Sequence, residues 1–169
     1  MAKKKQPKST SGISERSGSF TQVLEAGPGF GLTACDPRAT PAFDGDKAAG
    51  AKLLAKTVPE LDVLQEQLFA ESKTGEPKAV LLVVQGMDTS GKGGLIRHVV
   101  GSVVPQGVVY TAFKAPTKEE QRHPFLWRIR NALPQQGQIG VFDRSHYEDV
   151  LIVRVHDLVP PATLGRRYV

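Results

Sequence analysis

Gly86-Met87-Asp88-Thr89-Ser90-Gly91-Lys92 spaces two glycines and a lysine as G-x-x-x-x-G-K. Glycines let a backbone curl until successive N–H groups point inward at an anion, and the lysine adds a mobile cation for a transferring phosphate. The apolar run Ala79–Val84 precedes the loop and a helical pattern follows it, the context such a loop needs, with the helix start aimed at the same anion. Gly93 stands where these loops usually carry a Ser or Thr hydroxyl for Mg²⁺. Asp88 can take over that task, because a carboxylate among phosphates is repelled unless a cation lies between them. The plainer alternative is an exposed aspartate making a local turn bond.

Asp143 closes a second apolar run, Ile139–Phe142, and Arg144 follows directly. A carboxylate at the C-terminal end of a strand lies where open α/β sheets bind ligands, and the arginine could neutralise transferring phosphates. Against this stands an aspartate that merely caps the next helix beside a solvated arginine. Lys114 lies just past a third run, Val108–Phe113, and so near the same edge. Glu120 reads best as a first-turn acid facing a helix dipole. Trp127 reads as core packing, Arg128 and Arg130 as solvated, Glu148 and Asp149 as helix-start acids, and Cys35 as a packing residue. His98, His123, His146 and His156 lack metal-ligand spacing.

These groups need a scaffold, and the pattern supplies one. Three short apolar runs at 79–84, 108–113 and 139–142 read as strands, the first buried on both faces. Helical spacing covers Lys47 to about Ala70, where Leu53, Leu54, Val58, Leu61, Leu64, Leu68 and Phe69 recur and Pro59 divides the segment. It also covers Leu95 to about Val103 and Lys118–Leu133, while Val150–Val155 reads equally as strand or helix. Residues 27–46, rich in Gly, Pro and Asp, form an ordered arm or long loop, and residues 76–78 a turn. The GPGFG inside the arm follows no strand and is no dinucleotide fingerprint. Strand–helix alternation predicts an α/β fold with a parallel sheet.

The 169 residues suffice for one domain plus a tail. The net charge of +5 is concentrated in the leader: residues 1–20 hold four of those charges. That reads as a disordered basic tail rather than a nucleic-acid face. Residues 21–78 then form an N-terminal arm with helices, and 79–169 the phosphate-handling core. A single cysteine excludes an intrachain disulfide framework and fits a reducing, cytoplasmic setting. No apolar run is long enough for a membrane span, and the start lacks the apolar segment of a secretory signal.

Three stretches resemble the polyphosphate kinase 2 family: VVQGMDTSGKGGLIRHVVG, FKAPTKEE with FLWRIR, and FDRSHYEDVLIVRVHDLVP. The resemblance covers roughly residues 27–161, and the aspartate inside the loop and DRSHYEDVL are its most specific marks. It implies a P-loop kinase-like, thymidylate-kinase-like α/β fold with helices on both faces and a helical lid. It implies Mg²⁺-dependent transfer of a terminal phosphoryl group between polyphosphate and a nucleoside mono- or diphosphate. Carried onto this chain, Asp88 and Asp143 bind Mg²⁺, and Lys92 and Arg144 contact phosphates. Gly86, Gly91 and Gly93 shape a loop that also contains Met87, Thr89 and Ser90, and Lys114 and Glu119 belong to the acceptor side. Pro124 departs from the family's Asp at that position. The family continues past this chain's end, through the lid and last strands, which implies a C-terminally partial chain with sheet order 2-3-1 and an uncovered apolar edge at 79–84. Inorganic polyphosphate, AMP, ADP and ATP are the implied partners, with a homo-oligomer possible and neither nucleic acid nor membrane involved. Two alternatives remain at this point: a small-molecule kinase using ATP, and an inactive phosphate-binding remnant.

Overall fold

Three runs of five residues form the sheet: β1 (Val80–Val84), β2 (Val108–Ala112) and β3 (Ile139–Asp143). In the computed structural model, which describes residues 20–75 and 78–167, the order is β1-β3-β2 and both pairings are parallel. The 2-3-1 order is the expected one. Register sets Val84, Asp143 and Ala112 side by side at the C-terminal edge. The connections from β1 and from β3 therefore emerge next to each other.

Burial within the sheet is unequal. Val141 and Phe142 point to opposite faces, as strand neighbours do, and both are fully buried, so β3 is covered on both sides. Phe142 meets Phe113 edge-on at 4.8 Å, and Ile129, Leu126 and Ala132 complete this core. β1 pairs on one side only, and Val80, Leu81, Leu82 and Val83 are 36–49% exposed. The apolar run's expectation of a strand buried on both faces is thus wrong for β1, which lies at an exposed apolar edge as the resemblance implied.

The described residues fall into two compact units, with the boundary after Lys56, inside α2 (Lys47–Thr74). The first unit holds α1 (Phe20–Leu24), a 3-10 turn at Leu32–Ala34 and the long connection to α2. Asp46 caps α2 by accepting the Ala49 N–H at 2.9 Å. Cys35 is a free, exposed thiol in this connection, not a packing residue.

Pro59 does not divide α2, which runs unbroken for 28 residues. A proline removes one intrahelical bond, and the turns on either side hold the helix together across it. In the second unit, Gln65 is the buried residue of α2, whereas Leu64 faces outward. Gln65 lies against Gly107, where a Cβ would overlap its amide. Gly137 (φ +78°) packs on Ser72 in the same way, with room for no Cβ.

Two helical segments differ from the sequence reading, and one open alternative is decided. The helix after the glycine loop, α3 (Lys92–His98), starts at the lysine and gives way to a 3-10 turn at Val100–Ser102. The segment 118–133 is broken: a 3-10 turn at Glu120–Arg122, then α4 (Trp127–Asn131). Pro124 is the reason, because it forces His123 into an extended conformation (φ −109°, ψ 162°). The ambiguous stretch after β3 is helical, α5 (Leu151–Val155), followed by α6 (Pro161–Gly165). The predicted tail (except Phe20), two residues of the predicted turn at 76–78, and Tyr168 and Val169 lie outside the described residues. No helix among those described is long and apolar enough to cross a membrane.

Candidate active site

The loop between β1 and α3 turns on two left-handed residues. Gly91 (φ +92°) precedes α3, and Thr89 (φ +66°) adopts a conformation that a β-branched residue rarely takes. Gly86 leaves space that Ser90 Oγ approaches; a Cβ there would lie 2.8 Å from it. Gly93 is different. A Cβ at Gly93 would meet nothing within 4 Å, so packing does not require glycine at this position.

Lys92 folds back over the loop and donates to the carbonyls of Gly86 (2.8 Å) and Met87 (2.7 Å). Asp88 extends outward with its side chain 83% exposed, 4.0 Å from Lys92 Nζ. Across the sheet edge, Arg144 Nη2 donates to Asp88 Oδ1 at 2.8 Å. This bond joins residues 56 positions apart in the chain, so Asp88 is not engaged in a local turn bond. Arg144 also adopts a left-handed backbone (φ +66°), and its N–H donates to Val84 O at 3.0 Å, which pins the corner after β3 to the end of β1. Such non-glycine outliers concentrate at functional sites.

Asp143 does not cap the following turn. Ser145, fully buried, does so by accepting the Tyr147 N–H at 3.2 Å. Asp143 instead faces Tyr110, whose hydroxyl donates to Oδ2 at 3.0 Å, while Oδ1 is buried without a partner. Burial raises the Tyr110 pKa, and the adjacent Asp143 carboxylate raises it further, so the phenol holds its proton above its ordinary range.

Several contributors were not evident from sequence. Gln85 donates to Glu148 Oε1 at 2.7 Å and accepts from Ser145 Oγ at 3.1 Å, tying the loop entrance to the segment after β3. Glu148 lies 3.7 Å from Arg144 as well, so it is more than a helix-start acid. Arg128 is not solvated. It and Asp149 are each 7% exposed and paired at 2.6 Å. Arg128 also donates to Lys114 O at 2.8 Å and lies over the Phe113 ring. Trp127 is half-buried and stacks on His123 at 4.1 Å rather than filling the core. Gln85 stands one residue before Gly86 and could have been suspected; Tyr110 could not, since only the strand register brings it to Asp143.

Asp88, Lys92, Asp143 and Arg144 thus lie along one edge with the loop. Lys114 comes one residue after Phe113, whose N–H donates to the Asp143 carbonyl at 2.9 Å. Lys114 borders a cavity of 770 Å³ beside β2, with Trp127, Arg128 and Glu120, and no loop residue lines it. Glu119 bonds to Arg122 (2.8 Å) and His123 (3.2 Å), partners on its own segment. Glu120 closes a capping box with Thr117, accepting its N–H at 2.7 Å and donating its own N–H to Thr117 Oγ1 at 3.2 Å.

The residues present suit a hard divalent cation. Asp88 is accessible, and Asp143 Oδ1 is a buried anionic oxygen that lacks a donor, which is costly unless a cation or proton meets it. Among the described residues no three His, Cys, Asp or Glu side chains form a ready-made cage.

The model of the family described as polyphosphate kinase 2 matches residues 44–169. The chain belongs to the polyphosphate kinase 2 family. The crystal structure of polyphosphate kinase 2 from Arthrobacter aurescens TC1 superposes with a TM-score of 0.85 at 55% identity, over 93% of this chain and 56% of that one. An AMP/ADP-polyphosphate phosphotransferase of Meiothermus ruber is 45% identical over 139 residues, 82% of this chain and 51% of that protein. An ADP-polyphosphate phosphotransferase of Rhodopseudomonas palustris is 50% identical over 105 residues, 62% of this chain and 35% of that protein. The chain therefore spans about half or less of the length of these relatives. The α/β fold with a small parallel sheet is that of a polyphosphate kinase 2.

Proposed function

We propose that the chain carries the phosphate-handling part of an enzyme that moves a phosphoryl group between inorganic polyphosphate and AMP or ADP, with Mg²⁺, in the cytoplasm. The observation that carries this reading is the Arg144–Asp88 bond of 2.8 Å, which joins the glycine loop to the corner after β3. The names of the Meiothermus and Rhodopseudomonas relatives support the choice of donor and acceptors.

In this reading Lys92 exchanges the Gly86 and Met87 carbonyls for phosphate oxygens. Arg144 leaves Asp88 for the transferring phosphoryl group, whose equatorial oxygens carry the spread charge. The backbone N–H groups of residues 86–93, with Met87, Thr89 and Ser90 among them, hold the phosphate in place. Lys114 and Glu119 serve the acceptor side. Asp88 and Asp143 would hold Mg²⁺, which when bound neutralises charge on the phosphate oxygens. A terminal phosphate oxygen of the nucleotide attacks the end phosphorus of polyphosphate in line, and the bond from that phosphorus to its bridging oxygen breaks. With ADP as acceptor the product is ATP. No covalent enzyme intermediate is needed, because positioning and electrostatics supply the catalysis. Assembly as a homo-oligomer belongs to the same proposal; nucleic acid and membrane play no part in it.

Exchange of the donor tests the reading. With ADP and Mg²⁺, ATP should form when polyphosphate is supplied and fail to form when it is withheld. Phosphorylation of AMP by ATP alone, at a rate equal to that with polyphosphate, would instead place the chain with ATP-using kinases.

A further inference from the structure

Asp143 is fixed at three points and free at one. Its carbonyl accepts the Phe113 N–H at 2.9 Å, and its backbone continues the pairing of β3 with β1 and β2. Rotation of the carboxylate is the remaining freedom. Tyr110 removes it: the hydroxyl holds Oδ2 at 3.0 Å and leaves Oδ1 buried and unpartnered. The sheet makes this contact possible. Tyr110 is level with Val141, one step of the pleat before Asp143, and residues two apart on a strand share a face. The Tyr110 side chain is otherwise poorly buried, with half of its surface exposed, so packing does not explain its place.

We propose that Tyr110 is a positioning residue that acts through Asp143, holding one carboxylate oxygen and thereby the orientation in which the carboxylate takes a divalent cation. The inference rests on the reading above that Asp143 holds that cation. Outer groups that orient a ligating carboxylate typically matter about tenfold or more for metal affinity.

Mn²⁺ serves as the probe, because its free form gives an electron paramagnetic resonance signal that disappears on binding. Titrations of the 169-residue chain, Tyr110→Phe and Asp143→Asn are compared, each with its melting temperature. The expected result is binding by the wild-type chain, about tenfold weaker binding in Tyr110→Phe with unchanged melting, and loss of binding in Asp143→Asn. Wild-type affinity in Tyr110→Phe alongside loss in Asp143→Asn overturns the positioning role and leaves the Asp143 reading standing. Undiminished binding in Asp143→Asn, or none in the wild type, overturns that reading and the positioning role with it. A Tyr110→Phe chain that melts earlier yet binds Mn²⁺ normally shows a structural role and likewise overturns the proposal.

Discussion

Arg128 and Asp149 form the most deeply buried ion pair among the described residues, and truncating either one strands a charge. Asp149→Ala should therefore destabilise the chain by about 3–5 kcal/mol, read from the urea midpoint at constant slope. Because Arg128 also holds the Lys114 carbonyl, the same variant should loosen the segment after β2, detected as faster amide exchange there. Neither residue announced this role. An arginine on a helical stretch and an acid at a helix start look solvated until the fold places them face to face across 21 positions. The loop residues were more legible, since glycine spacing and a following lysine state their chemistry locally. Tyr110 was not, because only the strand register brings it to Asp143.

At the scale of elements, two glycines separate open backbone from crowded backbone. Gly94 lies within α3 with nothing near its absent Cβ, so Gly94→Ala should stabilise by up to about 1 kcal/mol. Gly140 in β3 lies against Pro134, where a Cβ would come within 2.8 Å of the ring, so Gly140→Ala should destabilise by about 1–3 kcal/mol. Thermal melts of the pair should move in opposite directions. The capping box at Thr117–Glu120 has a pH signature. The Thr117 N–H bond holds the Glu120 pKa below its ordinary value of 4.5, and the stabilisation is present above that value. It is lost as pH falls through the lower folded value, so the stability gap between wild type and Glu120→Gln should shrink below about pH 4.5. Strand positions were readable from short apolar runs. Helix ends were less so: Pro59 leaves α2 whole, yet Pro124 follows an extended His123 and its segment is broken.

For the whole molecule, the sheet order followed from the family resemblance, since three apolar runs alone do not say which strand lies in the middle. The apolar run alone misread the burial of β1, where the resemblance implied an uncovered edge; an apolar run reports hydrophobicity, not how many neighbours a strand finds. Its exposed valines and leucines form an unpaired edge, which favours strand-to-strand association between molecules. Val80→Lys, at the most exposed position of β1, should lower light scattering in concentrated solutions while circular dichroism stays unchanged. Phosphoryl transfer itself is read by one assay. ATP formation from ADP, polyphosphate and Mg²⁺ is measured for the 169-residue chain and for Lys92→Ala. The wild type should form ATP, and the variant should lose at least a hundredfold while its circular dichroism matches the wild type. Transfer that continues undiminished without the lysine would rule out Lys92 as a phosphate-handling residue.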